Sequence, residues 1–194
     1  MKYGTIVADP PWEYEGFATD PTSGRYIPAS RSRPVASTPL PYASMTVAEI
    51  EGLPVADMAA RDARLFLWTT SRYLPDSFSI ARAWGFTYRQ TLTWRKTGNP
   101  SPFGGSLAPN HAEFMIVATT GKPPRRCRLP SSVIDAPAAN NGAHSRKPEL
   151  FLDLVEQVSP GPYLELFARR QRLGWDTWGN EALCHVTFNQ RSMP

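Results

Sequence analysis

Asp9, Pro10, Pro11 and Trp12 stand in an unbroken run near the start of the chain, and their types define a chemistry. A carboxylate accepts hydrogen bonds, and so does the backbone carbonyl of the residue beside it. Two acceptors so placed can take one hydrogen each from a planar amino group whose lone pair is otherwise delocalised into its ring. The lone pair is then free to point at an electrophile, and an ionised Asp9 would stabilise positive charge growing on the nitrogen. Pro11 stiffens the turn, and Trp12 offers an aromatic face for a heterocycle. Proline pairs after an aspartate also occur in ordinary turns. The tetrapeptide alone therefore leaves both readings open.

The elements around it sharpen the choice. Residues 4–8 form a short apolar run rich in β-formers, which predicts a buried strand. Pro10 and Pro11 must end it, because proline removes a backbone donor and restricts the residue before it. Asp9 thus falls at the carboxyl end of a strand, where open α/β sheets bind ligands. Residues 13–41 lack periodicity, carry several prolines with Arg25, Arg31 and Arg33, and predict a long loop. Thr46 and Glu49 are spaced as a capping box opening a short helix, with Met45 and Ile50 as its staple. Strands are expected at 64–70, 86–94, 113–119 and 163–168, and helices at 75–84 and 148–158, each begun by proline. A second long loop, 121–143, holds Lys122, Arg125, Arg126 and Arg128. The alternation predicts one α/β domain over residues 1–194, with a mostly parallel central sheet flanked by helices and long loops at about 13–41 and 120–146.

Composition narrows the class of partner. The net charge is +4 and the isoelectric point near 9.3, a mild basic bias compatible with a polyanion. There are 20 prolines among 194 residues, about twice the usual share of roughly 5%, and they cluster between the apolar runs as loop stiffeners. Cys127 and Cys184 form no paired ligand motif, so neither a metal site nor a disulfide framework is expected. No apolar run approaches the roughly 20 residues that span a bilayer, and no signal peptide precedes the first strand. A cytoplasmic location without membrane attachment is the expectation.

Further motifs stand in a fixed order: Ala8-Asp9-Pro10-Pro11-Trp12, Pro41-Tyr42-Ala43-Ser44-Met45-Thr46, Leu65-Phe66-Leu67-Trp68, Trp84-Gly85-Phe86 and Trp94-Arg95-Lys96-Thr97. After them come Ser145-Arg146-Lys147-Pro148, Glu165-Leu166-Phe167-Ala168-Arg169 and Trp178-Gly179-Asn180-Glu181. In these the chain resembles the adenine methyltransferase family that includes the catalytic subunit of the eukaryotic messenger-RNA adenosine methyltransferase, over about residues 3–183.

The resemblance implies a Rossmann-like methyltransferase domain of permuted order, with the catalytic tetrapeptide before the donor-binding segment. It implies S-adenosylmethionine as cofactor, with no metal, and transfer of a methyl group to the exocyclic N6 of adenine in nucleic acid. Asp9, Pro10, Pro11 and Trp12 would form the catalytic centre, and Tyr42, Glu113 and Lys147 the base pocket. Asp9, Lys147, Phe167, Arg169, Asn180 and Glu181 would hold the donor. Arg125, Arg126 and Arg128 are the candidate nucleic-acid docking residues. Two departures bear on the donor side: Arg170-Gln171-Arg172 replaces the family's Pro-His-Asn, and Glu181 stands where relatives have glutamine. DNA is the expected polymer. The same reaction on RNA, and a catalytically silent nucleic-acid-binding partner subunit, are the alternatives. Monomer and homodimer are equally compatible with the sequence.

Overall fold

The computed structural model describes residues 2–13, 17–19, 26–28, 44–98, 107–108, 110–138, 146–179 and 182–186. Its main strands are β1 (Tyr3–Ala8), β4 (Ala59–Thr69), β5 (Thr87–Thr97), β6 (Ala112–Thr120), β7 (Val133–Pro137), β8 (Tyr163–Leu166) and β9 (Trp175–Trp178). They form one seven-stranded sheet of order β7-β5-β6-β4-β1-β8-β9. Only β6 runs against its neighbours, β4 and β5; every other pairing in this sheet is parallel. The mostly parallel sheet expected from the sequence is therefore present. Because β6 is reversed, its first residues share an edge with the last residues of β1, β4 and β5.

Helices cover both faces. Helices α1 (Val47–Glu51) and α2 (Leu74–Ala83) contribute Ile50, Ile80 and Ala81 to a core that takes Ile6, Leu65, Leu67, Ile116 and Leu164 from the sheet. Helix α3 (Leu150–Val158) contributes Phe151, Leu152, Val155 and Val158 to a second core with Val7, Phe66, Trp68, Met115 and Trp175. Residues 65–68 of β4 alternate between these two cores. Such a strand reads as a continuous apolar run because both faces are buried. The capping box of α1 forms as expected, with Glu49 N–H donating to the Thr46 hydroxyl at 3.2 Å and Thr46 N–H to the Glu49 carboxylate at 2.8 Å.

Four strands differ from what the sequence predicts. The second long loop contains β7, which pairs with the outer part of β5 and is held by Trp94 Nε1–H donating to the Ala136 carbonyl at 2.9 Å. Its largely exposed pattern hid it from a reading based on apolar runs. Strand β9 had no counterpart in that reading because Trp175–Trp178 is too short to show a period. Within 13–41 the short strands β2 (Phe17–Thr19) and β3 (Tyr26–Pro28) pair antiparallel. Among the described residues, no helix is long and apolar enough to cross a membrane.

Candidate active site

Strand β1 ends at Ala8, and Asp9 follows with its N–H donating to the Leu166 carbonyl at the end of β8. The next two prolines form a tight turn: Trp12 N–H donates to the Pro10 carbonyl at 2.9 Å, two residues back. That bond fixes the direction of the Pro10 carbonyl while leaving its second lone pair available. Met45 N–H donates to the Pro11 carbonyl at 2.9 Å and ties the turn to the start of α1. The order of types in the tetrapeptide is thus what builds the local geometry.

Trp12 departs from its expected role. Its ring is only 5% exposed and stacks on Tyr73 at 4.8 Å with a 13° interplanar angle. It is a buried anchor of the turn rather than an open stacking face, because the helix-α2 side of the sheet closes over it. Its Nε1–H is buried without a hydrogen-bond partner among the described residues. Trp84 and Trp94, by contrast, each donate to a backbone carbonyl.

Four charged side chains converge on the strand edge beside Asp9. Lys147 Nζ lies 2.8 Å from one Asp9 carboxylate oxygen and 3.4 Å from Glu113 Oε2. Lys96 Nζ donates to Glu113 Oε1 at 2.5 Å. The group has two positive and two negative members, and each side chain is at most 20% exposed. Both ammonium groups also face aromatic rings: Lys147 lies 5.4 Å from the Trp68 ring centre and Lys96 4.9 Å from that of Trp94. Burial raises the Glu113 pKa, but the Lys147 and Lys96 charges outweigh it and hold the carboxyl below its usual range. Burial also works against a charged Lys147, and the Asp9 and Glu113 carboxylates overcome it and push its pKa up. Lys147 is accordingly a fixed cation and not a base.

Topology explains the convergence. Glu113 stands at the start of the reversed strand β6, opposite Trp94 of β5, and Lys96 follows two residues later on the same face. Lys147 directly precedes Pro148, whose carbonyl accepts the first helical bond of α3. Of the sequence candidates, Asp9, Glu113 and Lys147 come together here. In the sequence Lys96 stands out only as a member of the Trp94-Arg95-Lys96-Thr97 motif. Its pairing with Glu113 depends on which strand lies beside which.

A cleft adjoins this group at the carboxyl ends of β1 and β8, lined by Asp9, Lys147, Glu165, Phe167, Arg169 and Arg170 among others. Phe167 turns the chain out of β8 with a φ of 63°, a conformation costly for a non-glycine residue. Gly179 is needed beside it, since a Cβ there would lie 2.3 Å from the Ala168 carbonyl oxygen. Glu165 projects into the cleft with Oε2 buried and unpartnered among the described residues. Burial, reinforced by Asp9 and Glu149 and opposed by Arg170 and Arg172, pushes its carboxyl up to about 7.

The segment that departs from the family pattern has a structural use. Arg172 binds Glu156 at 2.9 Å and Asp153 at 2.5 Å, and Arg170 reaches Glu149 at 2.6 Å, so both clamp to the acidic side of α3. Tyr42, Asn180 and Glu181 lie outside the described residues. Arg125, Arg126 and Arg128 lie at the far end of α3 from Lys147. Arg126 N–H donates to the Val158 carbonyl and its guanidinium to the Glu156 carbonyl at 3.0 Å. They do not flank Asp9.

A mostly parallel seven-stranded sheet with helices on both faces is the architecture of a Rossmann-like methyltransferase domain. The chain belongs to the MT-A70 family of methyltransferases, whose model matches residues 3–181. It is 32% identical over 188 residues to a type II methyltransferase, M.MunI, of a Mycoplasma species, covering 93% of this chain and 78% of that protein. It is 26% identical over 199 residues to the human N(6)-adenine-specific methyltransferase METTL4, covering 93% of this chain and 38% of that one. It is also 26% identical to the zebrafish N(6)-adenosine-methyltransferase subunit METTL3, of which it spans 28%.

Proposed function

We propose that the chain transfers a methyl group from S-adenosylmethionine to N6 of adenine in nucleic acid, with DNA as the polymer and a cytosolic setting. The observation that carries this reading is the Asp9 carboxylate, held at 2.8 Å by Lys147 beside a Pro10 carbonyl that the Trp12 N–H orients. These two acceptors suit the two hydrogens of an exocyclic amine. The name of the human relative, N(6)-adenine-specific methyltransferase, supports adenine as the base. RNA is the second reading, favoured by the relatives named adenosine methyltransferases.

The donor would lie in the cleft between Asp9 and Phe167, and the residues there fit it. The buried orphan oxygen of Glu165 offers an acceptor to a hydroxyl or ammonium group, and Gly179 lets the backbone close tightly around the turn. Phe167, Arg169, Asn180 and Glu181 are assigned to the same group, so the catalytic segment precedes the donor segment along the chain. Tyr42 is assigned to the base pocket. The donor supplies a methyl group already activated on a sulfonium, so the protein's work is positioning and charge. Asp9 draws one amine hydrogen and stabilises the positive charge forming on nitrogen. Lys147, fully charged, orients Asp9 and Glu113 and accepts no proton. The group's two positive and two negative charges balance, so a cationic donor meets no net positive field from it.

The test is incubation with labelled donor and separate DNA and RNA pools, followed by mass spectrometry of the nucleosides. N6-methyladenine from the DNA pool is the expected product, and product from the RNA pool alone would favour the second reading. A methylated cytosine, or no nucleoside product with either pool, would overturn the proposal.

A further inference from the structure

A second concavity lies on the same sheet face as the catalytic cleft, at the other end of α3. It is a groove of about 730 Å³ whose walls include Arg64, Arg89, Arg125, Arg128, Thr119 and Ser132. No carboxylate lines it among the described residues. Among the described residues, the two guanidinium groups nearest the sheet are tied to neutral acceptors. Arg64 donates to the Ser159 hydroxyl at 2.8 Å and to the carbonyls of Pro123 and Pro124, and Arg89 donates to the Thr119 hydroxyl at 2.7 Å. Arg64 is partly buried, and the nearby Arg125 charge adds to burial in holding its pKa below the usual arginine range. Arginines gathered without a carboxylate among them create a positive potential that favours an anion.

The walls are built rather than incidental. Gly121, at a φ of 59°, packs its backbone against Asp62 and Arg61, and Lys122 N–H donates to the Asp62 carboxylate at 2.6 Å. Arg126 N–H and the Cys127 thiol donate to carbonyls at the end of α3. Thr93 N–H donates to the Ser132 carbonyl at 2.7 Å. The segment carrying Arg125 and Arg128 is therefore pinned at both ends, and its guanidinium groups are presented from a fixed frame.

We propose that this groove binds the phosphodiester backbone of the nucleic-acid substrate, away from the target base. The inference rests on the nucleic-acid reading of the catalytic site. Guanidinium groups with hydroxyls interleaved match phosphate oxygens, which accept paired N–H donors. Val158 lines the groove and Pro148 and Phe151 line the catalytic cleft, so the two are separated by the length of α3. Nine residues at 1.5 Å each make that about 13.5 Å. At about 3.4 Å of duplex axis per phosphate on one strand, the groove meets a phosphate about three to four base pairs from the target. Arg126, occupied by α3 and Tyr163, belongs to the scaffold and not to the contact set.

The test uses the full chain, fluorescent double-stranded DNA and its RNA counterpart, with binding read by anisotropy across a salt series in the absence of turnover. The triple variant Arg89→Gln/Arg125→Gln/Arg128→Gln should lower the slope of log affinity against log salt by up to about 2.7, at about 0.9 per contact. Its affinity for S-adenosylhomocysteine should not change. Trimming the duplex to fewer than about three base pairs on one side of the target should weaken wild-type binding but not that of the variant. Arg126→Gln should lower the melting temperature and leave the slope intact. An unchanged slope and unchanged trimming response in a folded triple variant would overturn the proposal. Wild type that binds with a steep slope yet methylates no adenine would instead count against the catalytic reading alone.

Discussion

Lys147 Nζ sits between Asp9, at 2.8 Å, and Glu113, at 3.4 Å, so that one ammonium joins the end of β1 to the start of β6. Two carboxylates on one ammonium would repel each other if the lysine were absent. The lysine offsets that repulsion and holds the Asp9 carboxylate in place at the strand end.

Asp9→Ala removes the acceptor on which the amine would rely. Turnover should fall by at least about 100-fold, the scale lost when one oriented transition-state partner is removed. Calorimetry should still detect donor binding. Appreciable residual turnover in this variant would refute the role given to Asp9.

Glu113→Gln leaves Lys96, whose side chain is 8% exposed, without its carboxylate. Breaking a buried pair in this way costs about 3–5 kcal/mol, so the urea midpoint should drop sharply. Lys96→Met added to Glu113→Gln should recover part of the loss, giving a coupling that a simple sum would miss. Because the folded Glu113 pKa is lowered, wild type should lose this contribution as pH falls below the ordinary glutamate range, and the variant should not.

Glu165 titrates in the opposite sense. Its carboxyl rises from an ordinary value near 4.5 to about 7, so the stability it contributes is full below 4.5 and disappears as pH climbs to about 7. The stability difference between wild type and Glu165→Gln should therefore decline over that window and be flat above it. Denaturant titrations at a series of pH values measure it. Parallel curves would show that the group does not titrate there.

Gly179→Ala places a methyl group 2.3 Å from the Ala168 carbonyl oxygen, where only backbone could yield. The Phe167 turn must shift, and donor affinity measured by calorimetry should weaken by roughly tenfold or more, about 1.4 kcal/mol. Equal affinity would separate this turn from the donor site.

Arg172→Gln should cost about 1–3 kcal/mol through the lost clamp on Glu156 and Asp153. The denaturation midpoint should move while donor affinity stays nearly constant. A large affinity loss at unchanged stability would give Arg172 a ligand contact instead.

The sequence by itself determined the features set by near neighbours. The stop after Ala8, the capping box at Thr46, the stripe of α3 and the placement of Asp9 at a strand end follow from proline sterics, capping and periodicity over a few residues. Tertiary structure alone decided which distant groups meet. The Lys147–Asp9 contact joins residues 138 apart, and the Lys96–Glu113 contact exists because β6 runs reversed between β4 and β5. The closure over Trp12, the strand inside the second loop and the separation of Arg126 from its neighbouring arginines arose the same way. Such contacts depend on strand order and direction, which are fixed by burial on both faces of a sheet assembled from the whole chain, and no local pattern carries them.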